Sequence, residues 1–271
     1  MSDYSVSGLA GLYARLGRRL ADAPRPQEVF ETLTAVAVEH IPGAEAAGIT
    51  RYLNGRLETI AATSELVHAV DQVQYTLRSG PCVSVVEGQV GLAVRADDLR
   101  HEPRWPEFGA RAVEVTGVSS MLSYRLYVED RADLVTSLNV YSTRVAAFDE
   151  WAQTIGLVLA THGALAVSNA WARQHAEDLE KALQSNRDIA VAVGILMATH
   201  LINQDALFMV LRIASQHANR KLHDLAMTVL ETGELQLPSS AAERAILAKG
   251  IRLDPHATSL APGTKTLGAG G

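Results

Sequence analysis

Cysteine is nearly missing from this 271-residue chain: Cys82 stands alone. A single thiol excludes an internal disulfide framework and any zinc site built on several thiolates. An excess of positive charge is missing too. Twenty-four Lys and Arg stand against thirty Asp and Glu, a net charge of −6, so bulk attraction for a polyanion is excluded and nucleic-acid binding has to rest on a local patch. There is no P-loop, no Gly-x-Gly-x-x-Gly run and no His-x-x-x-His pair to grip one metal from a helix face. No run reaches the roughly 18 consecutive apolar residues of a bilayer span. Met1 to Ala10 has neither the charged n-region nor the apolar h-region of a secretory signal. Hydrophobic residues make up 48% and charged residues 20%, which is globular usage. These absences lead to the expectation of a cytoplasmic, non-catalytic protein without a cofactor, metal or membrane partner.

What is present falls into blocks. Gly8 to Leu20 puts Leu9, Leu12, Leu16 and Leu20 on one helical face. A second amphipathic helix is expected from Gln27 to His40, stopped by Pro42-Gly43. Ala46 to Leu53 and Arg56 to Thr63 flank Asn54-Gly55, a hairpin signal because both turn residues tolerate positive φ. A polar helical stretch (Ser64 to Gln74) follows, then the loop Arg78 to Cys82 and a short helix through Val86. Gln89 to Val94 reads as a strand and Trp105 to Val115 as a helix. Ser119 to Val128 and Leu134 to Tyr141 read as strands around the charged turn 129–133. Mixed helices and mainly antiparallel strands make one α+β domain.

From Trp151 to Met197 alternating steps of four and three meet an apolar residue at all but His162, Asn169 and Asn186, and no proline interrupts. A 3.5-residue repeat of this length predicts a seam between helices, a coiled coil in which the asparagines fix register. Beyond it, Asp205 to Gln216 is expected to turn Phe208, Leu211 and Ala214 inward. Asn219 is placed as the N-cap of a last helix that buries Leu222, Leu225, Ala226, Val229 and Leu230 and ends at Gly233. Ser240 to Glu243 reads as a capping box opening a helix to Ala248, and the tail from Asp254 as disordered.

Cys82, with no base placed beside it, reads as a packed thiol rather than a nucleophile. Tyr75, Cys82, Trp105, Tyr124 and Tyr141 are the candidates to line a ligand pocket between sheet and loops; plain core is the competing reading. In the last helices acids outnumber cations, yet Arg212, Arg220 and Lys221 bracket one turn, with Asn219, His217 and His223 close by. Cations beside a helix N-terminus can hold phosphate.

The run Ile189 to Met197 (Ile-Ala-Val-Ala-Val-Gly-Ile-Leu-Met), with Leu207 to Arg212 and Ala214 to Leu222 (Ala-Ser-Gln-His-Ala-Asn-Arg-Lys-Leu), resembles the ANTAR domain, a three-helix RNA-binding output module of bacterial transcription antiterminators. Val193 stands where that family often carries lysine. Ser79 to Cys82, Glu102 to Phe108 and Val118 to Ser123 resemble the GAF domains joined to ANTAR modules in actinobacterial regulators. The resemblance implies a GAF-like sensor (25–170) and an ANTAR-like RNA-binding domain (171–237), flanked by the N-terminal helix (1–24) and the short helix with tail (238–271) read above. It implies a signal-responsive homodimer that binds paired stem-loops in a nascent leader RNA and prevents terminator formation. The RNA-contacting residues would be Arg187, Arg212, Asn219, Arg220 and Lys221. The input would be an unidentified small molecule or an upstream kinase. The alternative is a ligand-sensing or protein-interaction regulator without RNA binding.

Overall fold

The computed structural model describes residues 25–126, 134–200 and 203–235, preceded by 11, 14, 15, 17–20 and 23. Most of the expected N-terminal helix, the turn 129–133, the Ser240 capping box and the tail lie outside the described residues. The chain divides into two compact units, Met1–His175 and Ala176–Gly271.

In the first unit, α1 (Pro26–His40) opens on a proline at its first position, where the missing N–H costs nothing. Its Val29, Phe30, Leu33, Val36 and Ala37 are buried. Strands β1 (Ala46–Leu53) and β2 (Arg56–Ala62) form the expected hairpin. Asn54 and Gly55 both take positive φ, 51° and 80°, the pair of left-handed residues a two-residue turn needs. Then come α2 (Glu65–Leu77), α3 (Pro81–Val86), β3 (Ala93–Ala96), a 3₁₀ turn (Leu99–His101), α4 (Pro106–Thr116), β4 (Ser120–Leu126) and β5 (Leu134–Ser142). The strands form one antiparallel sheet in the order β2-β1-β5-β4-β3.

β3 corrects the expected strand at Gln89 to Val94: pairing with β4 begins only at Ala93. Gly88 has left-handed φ, 72°, and the Ser84 hydroxyl donates to the Gln89 side chain at 3.1 Å, so the chain is still turning there.

Both sheet faces are covered, and side-chain alternation separates two cores. One face turns Ile49, Leu122, Tyr124, Leu138 and Val140 toward α1 and the first half of α5 (Glu150–His200). The other turns Met121 and Tyr141 toward Val67, Val70, Cys82, Trp105 and Phe108 of α2, α3 and α4 and the segment before α4. Gly156 and Gly163 let α5 approach closely; a Cβ at these positions would run into Tyr124 and Leu33.

α5 is long and apolar enough to cross a membrane on length and composition alone. Within this fold, Ala152, Ile155, Leu159 and Val167 are buried in the first unit's core. Along the 3.5-residue repeat, by contrast, Leu165, Leu179 and Leu183 are 58%, 55% and 61% exposed.

The second unit packs the end of α5 with α6 (Gln204–Ala218) and α7 (Leu222–Thr232). Its core is Ala192, Val193, Leu196, Leu207, Leu211, Ala226 and Val229. Phe208 is a correction: it is 46% exposed, because the buried face of α6 runs 207, 211, 214 and position 208 lies about 100° around the helix. α7 ends at Gly233 with φ 74°, as expected.

Candidate nucleic-acid interface and buried polar cluster

The turn joining α6 to α7 is built by Asn219, and not as an N-cap. Asn219 has φ 49° and closes the end of α6. Its N–H reaches Gln216 O at 3.4 Å and the Arg220 N–H reaches Ser215 O at 3.1 Å. That pair of reversed bonds is a Schellman ending with asparagine in the left-handed position glycine usually takes. The N-cap of α7 is Lys221, in extended conformation and without a side-chain cap bond. The cation therefore sits where the first N–H groups of α7 point outward, an arrangement suited to an anion.

Asn219, Arg220 and Lys221 are consecutive and exposed. The Arg220 Nη2 donates to Asp224 O and Thr228 Oγ1, both at 3.3 Å, which lays the guanidinium along α7 and leaves its other nitrogens outside these bonds. Arg212 on α6 and Arg187 on α5 are exposed as well. Val193 is 4% exposed in the core, so that position presents nothing to a ligand.

One contact at this surface was not foreseen. His223, in the first turn of α7, donates from Nε2 to Asp188 Oδ2 of α5 at 3.1 Å. The other oxygen, Asp188 Oδ1, accepts from Gln184 Nε2 at 2.8 Å.

In the first unit, three of the five candidate pocket residues gather around a buried carboxylate that the sequence pattern does not single out. Asp71 Oδ1 accepts the Tyr141 hydroxyl at 2.6 Å and Gln74 Nε2 at 3.2 Å. Its Oδ2 accepts the Thr59 hydroxyl at 2.8 Å and the Tyr75 hydroxyl at 3.3 Å. Gln74 also accepts the Cys82 N–H at 3.0 Å, and Cys82 Sγ lies 3.3 Å from Ser137 Oγ. Asn139 extends the network, donating to Thr50 Oγ1 at 2.9 Å and accepting from the Ser123 hydroxyl at 2.8 Å.

Burial raises the Asp71 carboxyl above the ordinary carboxylate range, against the pull of its four donors. Burial, with the Asp71 charge second, pushes the Cys82 thiol up to about 12, which removes it as a nucleophile near neutrality. Tyr75 and Tyr141 are likewise raised by burial, then by Asp71. Trp105 lies in the same core and donates from Nε1 to Ser84 Oγ at 2.9 Å. Tyr124 stands apart, on the opposite face of the sheet, with its hydroxyl on Gln153 O at 3.1 Å. The five do not share one pocket. Among the described residues no group of three or more His, Cys, Asp or Glu could hold a metal ion.

Residues 177–230 match the ANTAR domain family. None of the curated proteins matches the chain. Among solved structures, the GAF domain of a phosphoenolpyruvate-protein phosphotransferase from Coxiella burnetii is 15% identical, covers 62% of this chain and 96% of its own, and has a TM-score of 0.47. The GAF domain of the corresponding Acinetobacter protein is 13% identical over 62% and 96%, with a TM-score of 0.46. The photosensory core module of a Stigmatella aurantiaca phytochrome is 14% identical over 86% of this chain and 46% of its own, with a TM-score of 0.48.

Proposed function

We propose that this chain, which carries an ANTAR domain over residues 177–230, is a signal-responsive RNA-binding transcription antiterminator of the cytoplasm. The observation that supports it most directly is the solvent-facing turn Asn219-Arg220-Lys221 inside that domain, capped so that Lys221 stands at the N-terminus of α7. A Lys or Arg that neutralises a phosphate releases counterions, so affinity comes from a few well-placed cations even on an acidic body. Arg187, Arg212, Asn219, Arg220 and Lys221 are the contacts we assign. Held on the nascent leader as a pair of stem-loops, the RNA would be kept from forming a terminator hairpin.

Two copies would present two such surfaces, one per stem-loop. The exposed leucines at 165, 179 and 183 fall on the 3.5-residue repeat of α5, the pattern by which helices pair. In this reading the first unit is a GAF-like sensor, and Tyr75, Cys82 and Tyr141 belong to the face that would respond to a ligand. Trp105 is near them in the core and Tyr124 is on the other face.

The test is binding to an RNA carrying two adjacent hexaloop stems, measured by mobility shift over a salt series. Affinity should fall as salt rises, and the Arg220→Ala/Lys221→Ala variant should lose binding. Salt-insensitive or undetectable binding would leave the second reading, a ligand-sensing or protein-interaction regulator. The buried Val193, where the family often carries lysine, favours that second reading.

A further inference from the structure

We infer that Asp188 and His223 form the positioning contact of the RNA-binding surface, fixing the first turn of α7, and with it Lys221, against α5 beside Arg187. The inference rests on the RNA reading above and concerns two residues that would not themselves touch RNA.

The apolar core of the second unit grips the two helices further along both. On α5 it uses Ala192, Val193 and Leu196, and on α7 it uses Ala226 and Val229. At the rim, the start of α7 has the partly buried Leu222 against that core, and the buried Leu225 closes its first turn. The hydrogen bond from His223 Nε2 to Asp188 Oδ2, 3.1 Å, joins residues thirty-five apart in sequence at that rim. It is flanked in sequence by Arg187 on one side and Lys221 on the other. The Asp188 side chain is 17% exposed and its second oxygen is held by Gln184, so the acceptor is fixed from its own helix. A fixed acceptor one turn below the core selects one orientation of the α7 start, and the N-cap cation follows it.

Charge alone predicts the opposite of this role. Asp188 is an acid next to an RNA-contacting arginine, and its removal should relieve repulsion of phosphate and tighten binding. If Asp188 positions, Asp188→Ala weakens binding about five- to tenfold at fixed salt, the net size of an ordinary lost hydrogen bond. Asp188→Asn keeps an acceptor for His223 while deleting the charge, and so binds as tightly as the native chain or more tightly.

The coupling is directional as well. Combined with Lys221→Ala, Asp188→Ala should add little further loss, because the contact acts through that lysine. Combined with Arg212→Ala on α6 the losses should add. The experiment is this set of variants of the full chain, titrated by fluorescence anisotropy against the two-stem RNA. It is paired with amide hydrogen exchange on the RNA-free protein. Exchange at 224 and 225, whose N–H groups donate to Lys221 O, should quicken in Asp188→Ala and stay native in Asp188→Asn, with 226–229 unchanged in both.

Tighter or unchanged binding by Asp188→Ala, full additivity with Lys221→Ala, or unaltered exchange at 224 and 225 would each overturn the positioning role. Failure of the native chain to bind RNA would instead overturn the antiterminator reading. The exchange arm would then still decide whether Asp188 orders the start of α7.

Discussion

The Tyr141 hydroxyl meets Asp71 Oδ1 at 2.6 Å, a bond between the centre of the sheet and α2. It is the shortest link of a network in which a fully buried carboxylate takes four neutral donors. The folded state holds the Asp71 proton at pH values where the unfolded chain, with the ordinary value of 3.8, has lost it. The stabilisation from that proton is complete below the unfolded value and is lost as pH rises through the raised folded value. Urea unfolding of the native chain and of Asp71→Asn, at about pH 7.5 and about pH 4.5, should show the native chain gaining on the variant at the lower pH. A difference that is flat or moves the other way would mean that Asp71 is ionised in the fold without penalty.

Gly156 on α5 lies against the Tyr124 ring, so a methyl group there meets the ring and its hydroxyl. Gly156→Ala should lower stability by about 1–3 kcal/mol, the usual cost of overpacking. Thermal melting of the variant checks it, and Tyr124→Leu in the same chain should recover part of the loss. An unchanged melt would show that α5 shifts freely on the sheet.

Asn219 serves two readings that one pair of substitutions separates. Its φ of 49° admits glycine readily but strains a β-branched residue, so Asn219→Val should destabilise the second unit by roughly 1–2 kcal/mol and Asn219→Gly should not. If the amide also touches RNA, Asn219→Gly should weaken binding while melting as the native chain does. Equal binding by native and Gly variants assigns the residue to the turn alone.

Leu183 is 61% exposed and Leu179 55%, four residues apart on α5. Leu179→Glu/Leu183→Glu should shift the chain toward monomer in sedimentation equilibrium and leave the melting of both units as it was. A native chain that is already monomeric at micromolar concentration would defeat the pairing of α5 helices.

Short-range chemistry was legible in the sequence. Asn54-Gly55 located the hairpin because only a few residue types tolerate those two dihedrals, and Pro42-Gly43 and Gly233 marked helix ends for the same local reason, both glycines having positive φ. The α6 to α7 turn was legible in place but not in kind: asparagine is common both as an N-cap and in the left-handed position after a helix, and composition does not separate the two. Phe208 was misplaced because Leu207, Phe208 and Leu211 offer two apolar phases a single residue apart.

The buried cluster was least legible. Asp71 sits in a stretch that reads as a polar helix, Thr59 comes from β2, and Ser137 and Asn139 come from β5, nearly eighty residues further along. Only the pairing of β1 with β2 and β5 sets Thr50 beside both Thr59 and Ser137. The available hint was that Val67, Val70, Asp71, Gln74 and Tyr75 share one helical face, so the acid rides with the apolar residues. The Asp188–His223 bond left no comparable trace.

The lone thiol turns the Asp71 face into its own reporter. Cys82 is wholly enclosed, with its N–H and Sγ both engaged, so a small uncharged alkylating agent reaches it only during moments when α2 and α3 lift from the sheet. With no second cysteine to confuse the count, the labelling rate clocks that breathing motion directly. Any compound that settles on this face should stretch the interval between openings, and a screen for ligands of the proposed sensor can be run on the native sequence without installing a probe.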